Sequence, residues 1–254
     1  GILLCSSAML QLMDPATGRC LLAMSQADVI GKGVGRRVVA VGATSDGTIA
    51  VSGSNNGHLI CWSLAEGDAG AARHQQAHRV GSYAPIAKVQ PVGQAGDGDA
   101  RLVTMTSPDG NGIESVRVWA VEGWSRPPSG AWPCLHEFKP FGPAEVCVLH
   151  RLIFSADAAD EVGVWDLDSG EKRAKLGVAA QSSATDGDGG SENQVERQVA
   201  SWCLQVSRCG GLVALDLQPH DAVSIFETEQ LEKRWSSRPG VEIVALPRLD
   251  GVYQ

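Results

Sequence analysis

The chain predicts an all-β fold assembled from a repeated antiparallel unit. Three observations carry this. A short apolar run ending in a bulky residue, followed by an acidic or small residue and a Gly-bounded turn, recurs along the sequence. Apolar and β-branched runs of four to seven residues dominate, cut by Gly, Asp, Asn and Pro, while no 11-residue window has helical periodicity with caps at both ends. Gly is abundant, at 30 of 254 residues, as a fold with many tight turns requires.

The elements follow in order. Ile2 to Cys5, Met9 to Met13 and Arg19 to Met24 read as strands of a unit missing its first strand. Val38 to Ala43, Thr48 to Ser52 and His58 to Trp62 form a meander across the Ser45-Asp46-Gly47 and Asn55-Asn56-Gly57 turns, with a fourth strand expected after Gly67. Arg101 to Thr106 and Ser115 to Trp119 belong to the next unit. Ala144 to Leu149, Arg151 to Ser155, Val162 to Trp165 and Arg173 to Val178 make another. Ser201 to Val206, Gly211 to Leu217, Val223 to Phe226 and Lys233 to Trp235 make the last full one, and Val241 to Leu246 starts a further unit.

The repeat anchors fall at Met13, Trp62, Trp119, Trp165 and Phe226, which places them 46 to 61 residues apart. A single four-stranded unit of the relevant repeat class takes about 40–45 residues. Three inserts supply the excess: Pro91 to Asp99, Trp124 to Pro133 and the Ser/Gly/Asp-rich stretch 181–198, which has a disordered composition. The pattern resumes in register after each, so the whole of 1–254 reads as one domain.

The motif is clearest in Glu161-Val162-Gly163-Val164-Trp165-Asp166-Leu167-Asp168-Ser169-Gly170. Weaker copies surround Trp62 and Trp119, with degenerate ones at Met13-Asp14 and Phe226. With these residues the chain resembles the WD40-repeat β-propeller family over nearly its whole length. The resemblance implies radially stacked four-stranded antiparallel blades, about five of them plus partial ends. In that reading the anchor ring fills the volume between neighbouring sheets. Family blades often carry an Asp–His–Ser/Thr–Trp hydrogen-bond network. Here the acid positions hold Asn56, Ile113 and Ala159, with Asp160 one place off, and His78 is the nearest approximation to the family's Gly-His pair. The resemblance therefore implies a divergent propeller held chiefly by apolar packing. Closure would join the two chain ends within one blade, with Val241 to Leu246 as the missing first strand. A larger ring would need further sequence, and the absence of an initiator Met reads as a segment of something longer.

Charge and composition bound the function. A net charge of −8, from 21 basic and 29 acidic residues, opposes direct nucleic-acid binding, which depends on Lys and Arg displacing counterions. No apolar stretch reaches the roughly 20 residues of a membrane span. Seven irregularly spaced cysteines with no Cys-x-x-Cys pair fit a reducing compartment, so an intracellular (cytoplasmic or nuclear) location is expected.

The chemistry-bearing candidates are weak. His74 and His78 are four apart, a metal spacing only on a helix, and read as part of a solvated inter-blade connection. Asp97-Gly98-Asp99 and Asp186-Gly187-Asp188 lack the full register of a calcium loop. Gly31-Lys32-Gly33-Val34-Gly35 leads into a strand and not a helix, so it is no phosphate cradle. No catalytic residue, metal or cofactor is assigned, and no small-molecule substrate is inferred. The suggestive residues are Trp124, Arg126, Trp132 and Phe141, in and beside a Pro-rich connection. Exposed Trp near Arg would suit a protein-binding hot spot, whereas buried Trp would merely cover a blade edge. The leading expectation is a non-enzymatic interaction scaffold, a subunit of a larger complex whose partners are other proteins. Two alternatives stay open: a noncatalytic subunit of an RNA-modifying or ribosome-assembly complex, and a propeller enzyme with a metal or quinone cofactor.

Overall fold

The computed structural model describes residues 1–6, 9–25, 37–64, 74–79, 84–94, 97–107, 113, 115–121, 124, 132–140, 142, 144–158, 161–177, 202–207, 209–217, 222–231 and 233–236. They form five antiparallel meanders in chain order. The first sheet has three strands, β1 (Ile2–Ser6), β2 (Met9–Met13) and β3 (Cys20–Ser25). The second has β4 (Val38–Ala43), β5 (Ile49–Ser54), β6 (His58–Ser63) and β7 (His74–Arg79). The third has β8 (Ile86–Val92), β9 (Arg101–Thr106), β10 (Ser115–Ala120) and β11 (Cys134–Phe138). The fourth has β12 (Ala144–Cys147), β13 (Leu152–Ala158), β14 (Glu161–Asp166) and β15 (Lys172–Gly177). The fifth has β16 (Trp202–Val206), β17 (Leu212–Leu217), β18 (Ala222–Glu227) and β19 (Lys233–Ser236).

Residues on alternate sides of each strand pack in opposite directions, and in the central strands β5, β6 and β9 both directions are largely buried. In β5 all six residues are buried. Ile49 and Val51 face the third sheet, whereas Ala50 faces the first. Four apolar clusters therefore join successive sheets. Leu10 and Met24 meet Ala50, Ile60 and Trp62 between the first and second. Leu59 and Cys61 meet Ile86, Val89 and Leu102 between the second and third. Val103, Val116 and Val118 meet Val146, Ile153 and Leu167 between the third and fourth. Phe154, Val162 and Val164 meet Leu204, Val213 and Phe226 between the fourth and fifth. Each fully buried aliphatic side chain contributes about 1.5–3 kcal/mol relative to exposure. The inner strands adjoin, β1 on β4, β4 on β8 and β12 on β16. Gly42 and Gly53 permit the close approach of the second sheet to β8. A Cβ on Gly42 would lie 2.7 Å from the Val89 carbonyl oxygen, and one on Gly53 would lie 2.7 Å from Ile86 Cγ2.

The anchors occupy one structural position. The register between the third and fourth strands of a unit shifts at the anchor, between Leu12 and Met13, Cys61 and Trp62, Val118 and Trp119, Val164 and Trp165, and Ile225 and Phe226. Each bulge directs the large side chain toward the same side of its sheet. Trp62, Trp119, Trp165 and Phe226 all lie in the cluster shared with the preceding sheet. Met13 lies at the equivalent place in the first sheet, on the face that also carries Ile2 and Leu4, which are 49% and 48% exposed.

Two sequence expectations are corrected. His74 and His78 are not in an inter-blade connection; they lie on β7, the outer strand of the second sheet. That strand's backbone pairs with β6, which took precedence over its weak apolar pattern. Pro91 and Val92, read as the start of a loop, end β8 instead. The stretches 181–198 and 241–246 lie outside the described residues.

Candidate functional site

The turns that join first to second and third to fourth strands lie at one end of the sheets, and a polar cluster lies there between the third and fourth sheets. Its base is the β14–β15 turn. Asp166 Oδ1 accepts the backbone N–H groups of Asp168 at 3.0 Å and Ser169 at 2.8 Å. Gly170, with φ +72°, closes the turn by donating its N–H to the Asp166 carbonyl at 3.0 Å. The left-handed conformation favours Gly because a Cβ would clash with its own backbone, and here it would also collide with the His136 ring. Arg173 pairs with the other oxygen of Asp166. Asp14 builds the same turn in the first sheet, accepting from the Ala16 N–H at 2.9 Å and the Thr17 hydroxyl at 2.6 Å.

On this base the Asp168 carboxylate is gripped by Arg151, whose Nε and Nη2 each donate at 2.6 Å. Arg101 Nε stands 3.4 Å from Asp168 Oδ1. Arg151 also donates to the Asp99 carbonyl at 2.9 Å, which ties the β12–β13 turn to the β8–β9 turn of the neighbouring sheet. His136 Nε2 lies 2.8 Å from the Asp168 carbonyl. Arg151 adopts φ +51°, an uncommon conformation for a non-Gly residue that these bonds hold in place. The hydrogen bond from Arg151 holds the Asp168 carboxyl below the usual carboxylate range, and the same bond raises the Arg151 guanidinium. Burial acts to raise Asp166, but the Ser169 hydrogen bonds and the charge of Arg173 outweigh it and the net shift is downward. The cluster is a balanced ion-pair network that fixes turn geometry across two sheets.

The anchors have a polar component that the sequence did not disclose as a set. Trp62 Nε1 donates to Ser52 Oγ at 2.9 Å, Trp119 Nε1 to Thr104 Oγ1 at 2.9 Å, and Trp165 Nε1 to Ser155 Oγ at 3.0 Å. In each case the hydroxyl sits two residues beyond the one paired with the anchor. Where the anchor has no N–H, that place is apolar: Leu215 beside Phe226 and Leu4 beside Met13. The constant lies in the strand register and not in the sequence, where the Ser/Thr-to-Trp separations are 10, 15 and 10 residues.

The aromatic connection behaves differently from the hot-spot expectation. Trp124 and Trp132 are 2% and 4% exposed. They meet edge-to-face, with ring centroids 6.3 Å apart and planes at 74°, inside the cluster between the second and third sheets. These indoles cover the end of the third sheet, because burying two of them outweighs leaving them in solvent. Arg126 and Phe141 lie outside the described residues. Val148 and Leu149, on the β12–β13 turn at this end, are exposed apolar residues, at 36% and 65%. Among the described residues no group of three or more His, Cys, Asp or Glu could hold a metal ion, and no helix is long and apolar enough to cross a membrane.

With this geometry in view, the chain is similar to a solved structure titled the crystal structure of BamB from Moraxella catarrhalis, itself a β-propeller. The TM-score is 0.55 at 11% identity over 93% of this chain. The fold is a β-propeller. The match spans 57% of the BamB chain. No protein-family model matches this sequence, and no curated protein does.

Proposed function

We propose that this propeller is a non-enzymatic protein-interaction scaffold, an intracellular subunit of a larger complex, and that it is a divergent relative of the WD40-repeat proteins. The observation that carries the scaffold reading is the rigid rim. Its turns are tied by Asp166, Asp168, Arg151 and Arg101 across two sheets, and Val148 and Leu149 project from it into solvent. Loops fixed on a rigid body are the usual carriers of recognition, because little ordering entropy remains to be lost on binding. The WD40 kinship is supported by the repeated Trp-to-Ser/Thr hydrogen bond and by the bulge at every anchor. The excess of acidic residues points to a protein partner and away from a nucleic acid.

The test is affinity purification of the tagged chain beside Leu149→Glu, a surface change that leaves the sheets intact. The expected result is a stoichiometric protein partner retained by the native chain and lost from the variant. A correctly folded native chain that retains no protein, or a partner held equally by both, would overturn the rim assignment.

A further inference from the structure

We propose that Cys147 and Cys209 are the two halves of an oxidation-formed cross-link that clamps the fourth sheet to the fifth. This goes beyond the scaffold reading and does not depend on it. Cys147 ends β12 and is fully buried. Its Sγ lies 3.3 Å from the carbonyl oxygen of Gly210, on the next sheet. A Cβ placed on Gly210 would lie 3.3 Å from the same sulfur. The residue immediately before Gly210 is Cys209, whose Cα is therefore about 3.8 Å from that of Gly210. Cys209 is exposed, and its Sγ rests 3.4 Å from Ser207 Oγ. A disulfide needs Cα atoms about 4.4–6.8 Å apart. Cys209 is the third residue of a surface β-turn closed by the Gly210 N–H on the Ser207 carbonyl, and the cross-link requires its side chain to leave Ser207 and turn toward β12. Burial raises the Cys147 thiol, and among its other influences is the charge of Cys209.

The asymmetry orders the chemistry. An exposed thiol meets an oxidant first, and the neighbouring buried thiol then acts as the resolving group. With a hydroperoxide as oxidant, the Cys209 sulfur attacks the O–O bond, forming a sulfenic acid and releasing one water or alcohol. The Cys147 sulfur then attacks the Cys209 sulfur. The S–S bond forms, the S–O bond breaks, and hydroxide leaves with the Cys147 proton as water. Two thiols lose two electrons and two protons, which the peroxide takes up. A thiol of the glutathione class reverses the link by exchange. The other exposed cysteines serve as internal controls. Cys20 and Cys134 each direct the Sγ to a backbone carbonyl two residues on in the same strand, Leu22 and His136, at 3.4 Å.

The experiment uses the whole reduced chain, treated with hydrogen peroxide, blocked with N-ethylmaleimide and digested without reductant for mass spectrometry. The expected product is a peptide pair joined at 147 and 209, two hydrogens lighter than the sum of its parts. A parallel thermal melt should rise by about 5 °C or more on oxidation and fall back on reduction. Cys209→Ser, a surface substitution, should lose both the cross-linked pair and the rise while Cys134 labels as before. Cys209 oxidised without a link to Cys147, Cys209 unreactive to peroxide, or Cys147 joined to another cysteine would each overturn the proposal.

Discussion

Replacing Trp119 by Phe, alone and together with Thr104→Val, tests the polar component of the anchors. Trp119 is 6% exposed and donates its N–H to Thr104 Oγ1, a hydroxyl in a fully buried residue. The single Trp119→Phe change leaves that hydroxyl without its indole donor, at about 1–3 kcal/mol. It also opens a void of about 40 Å³, which at about 24 cal/mol per Å³ adds about 1 kcal/mol. Thr104→Val leaves the buried indole N–H without its hydroxyl acceptor and costs about 1–3 kcal/mol. In the double variant both polar partners are gone and only the void remains, at about 1 kcal/mol. The fifth sheet already contains that solution as Phe226 beside Leu215. The two changes are therefore expected to be non-additive by at least about 1 kcal/mol. The assay is urea denaturation of the four proteins of the cycle, followed by far-ultraviolet circular dichroism and checked for two-state behaviour. Costs that add to within about 0.5 kcal/mol would refute the idea that the indole and the hydroxyl act as one buried unit.

Further outcomes are expected from the same geometry. Gly53→Val should cost about 1–3 kcal/mol or prevent folding, because even the Cβ would press within 2.7 Å of Ile86 on the neighbouring sheet; a melting curve reads this directly. Trp132→Ala should destabilise by about 3–5 kcal/mol, measured by denaturation, since its ring belongs to a buried cluster; a stable variant that had lost only binding would restore the exposed hot-spot reading. Asp168 has a depressed folded-state pKa, so its stabilising contribution is present above the ordinary carboxylate value near 4 and is lost as pH falls through the lower folded value. Asp168→Asn should therefore be less stable at neutral pH and flatten the acid limb of a stability–pH profile, whereas an unchanged acid limb would show that the Arg151 pair contributes nothing. The wild-type pair is part-exposed, so added salt should narrow the difference between the two proteins.

The all-β class and most strands were legible from sequence because a half-repeating unit writes its own signals. Alternating apolar residues, turn glycines such as Gly47 and Gly57, and a bulky residue before an acidic turn recur wherever the backbone does the same thing. The Trp165-Asp166 turn was readable as a turn, since the bonds that close it, from the Asp168, Ser169 and Gly170 N–H groups to Asp166, span two to four residues. Strands with weak patterns were harder. His74–Arg79 and Cys134–Phe138 are outer strands, and β11 is largely exposed, so apolar alternation is not required of it. Pairing with β6 and β10 decides these strands, and pairing is not written in their composition.

What the chain determined alone was the local grammar: which segments extend, where they turn, and which large side chains recur. Tertiary structure decided the rest because the partners are far apart in sequence. Thr104 meets Trp119 only across a strand pair, Arg151 reaches Asp99 only across two sheets, and Cys147 touches Gly210 only where the fourth sheet meets the fifth. The fate of Trp124 and Trp132 shows the same division, since an indole reads alike in sequence whether its neighbours are solvent or Leu102 and Val121, and packing alone chose the latter cluster.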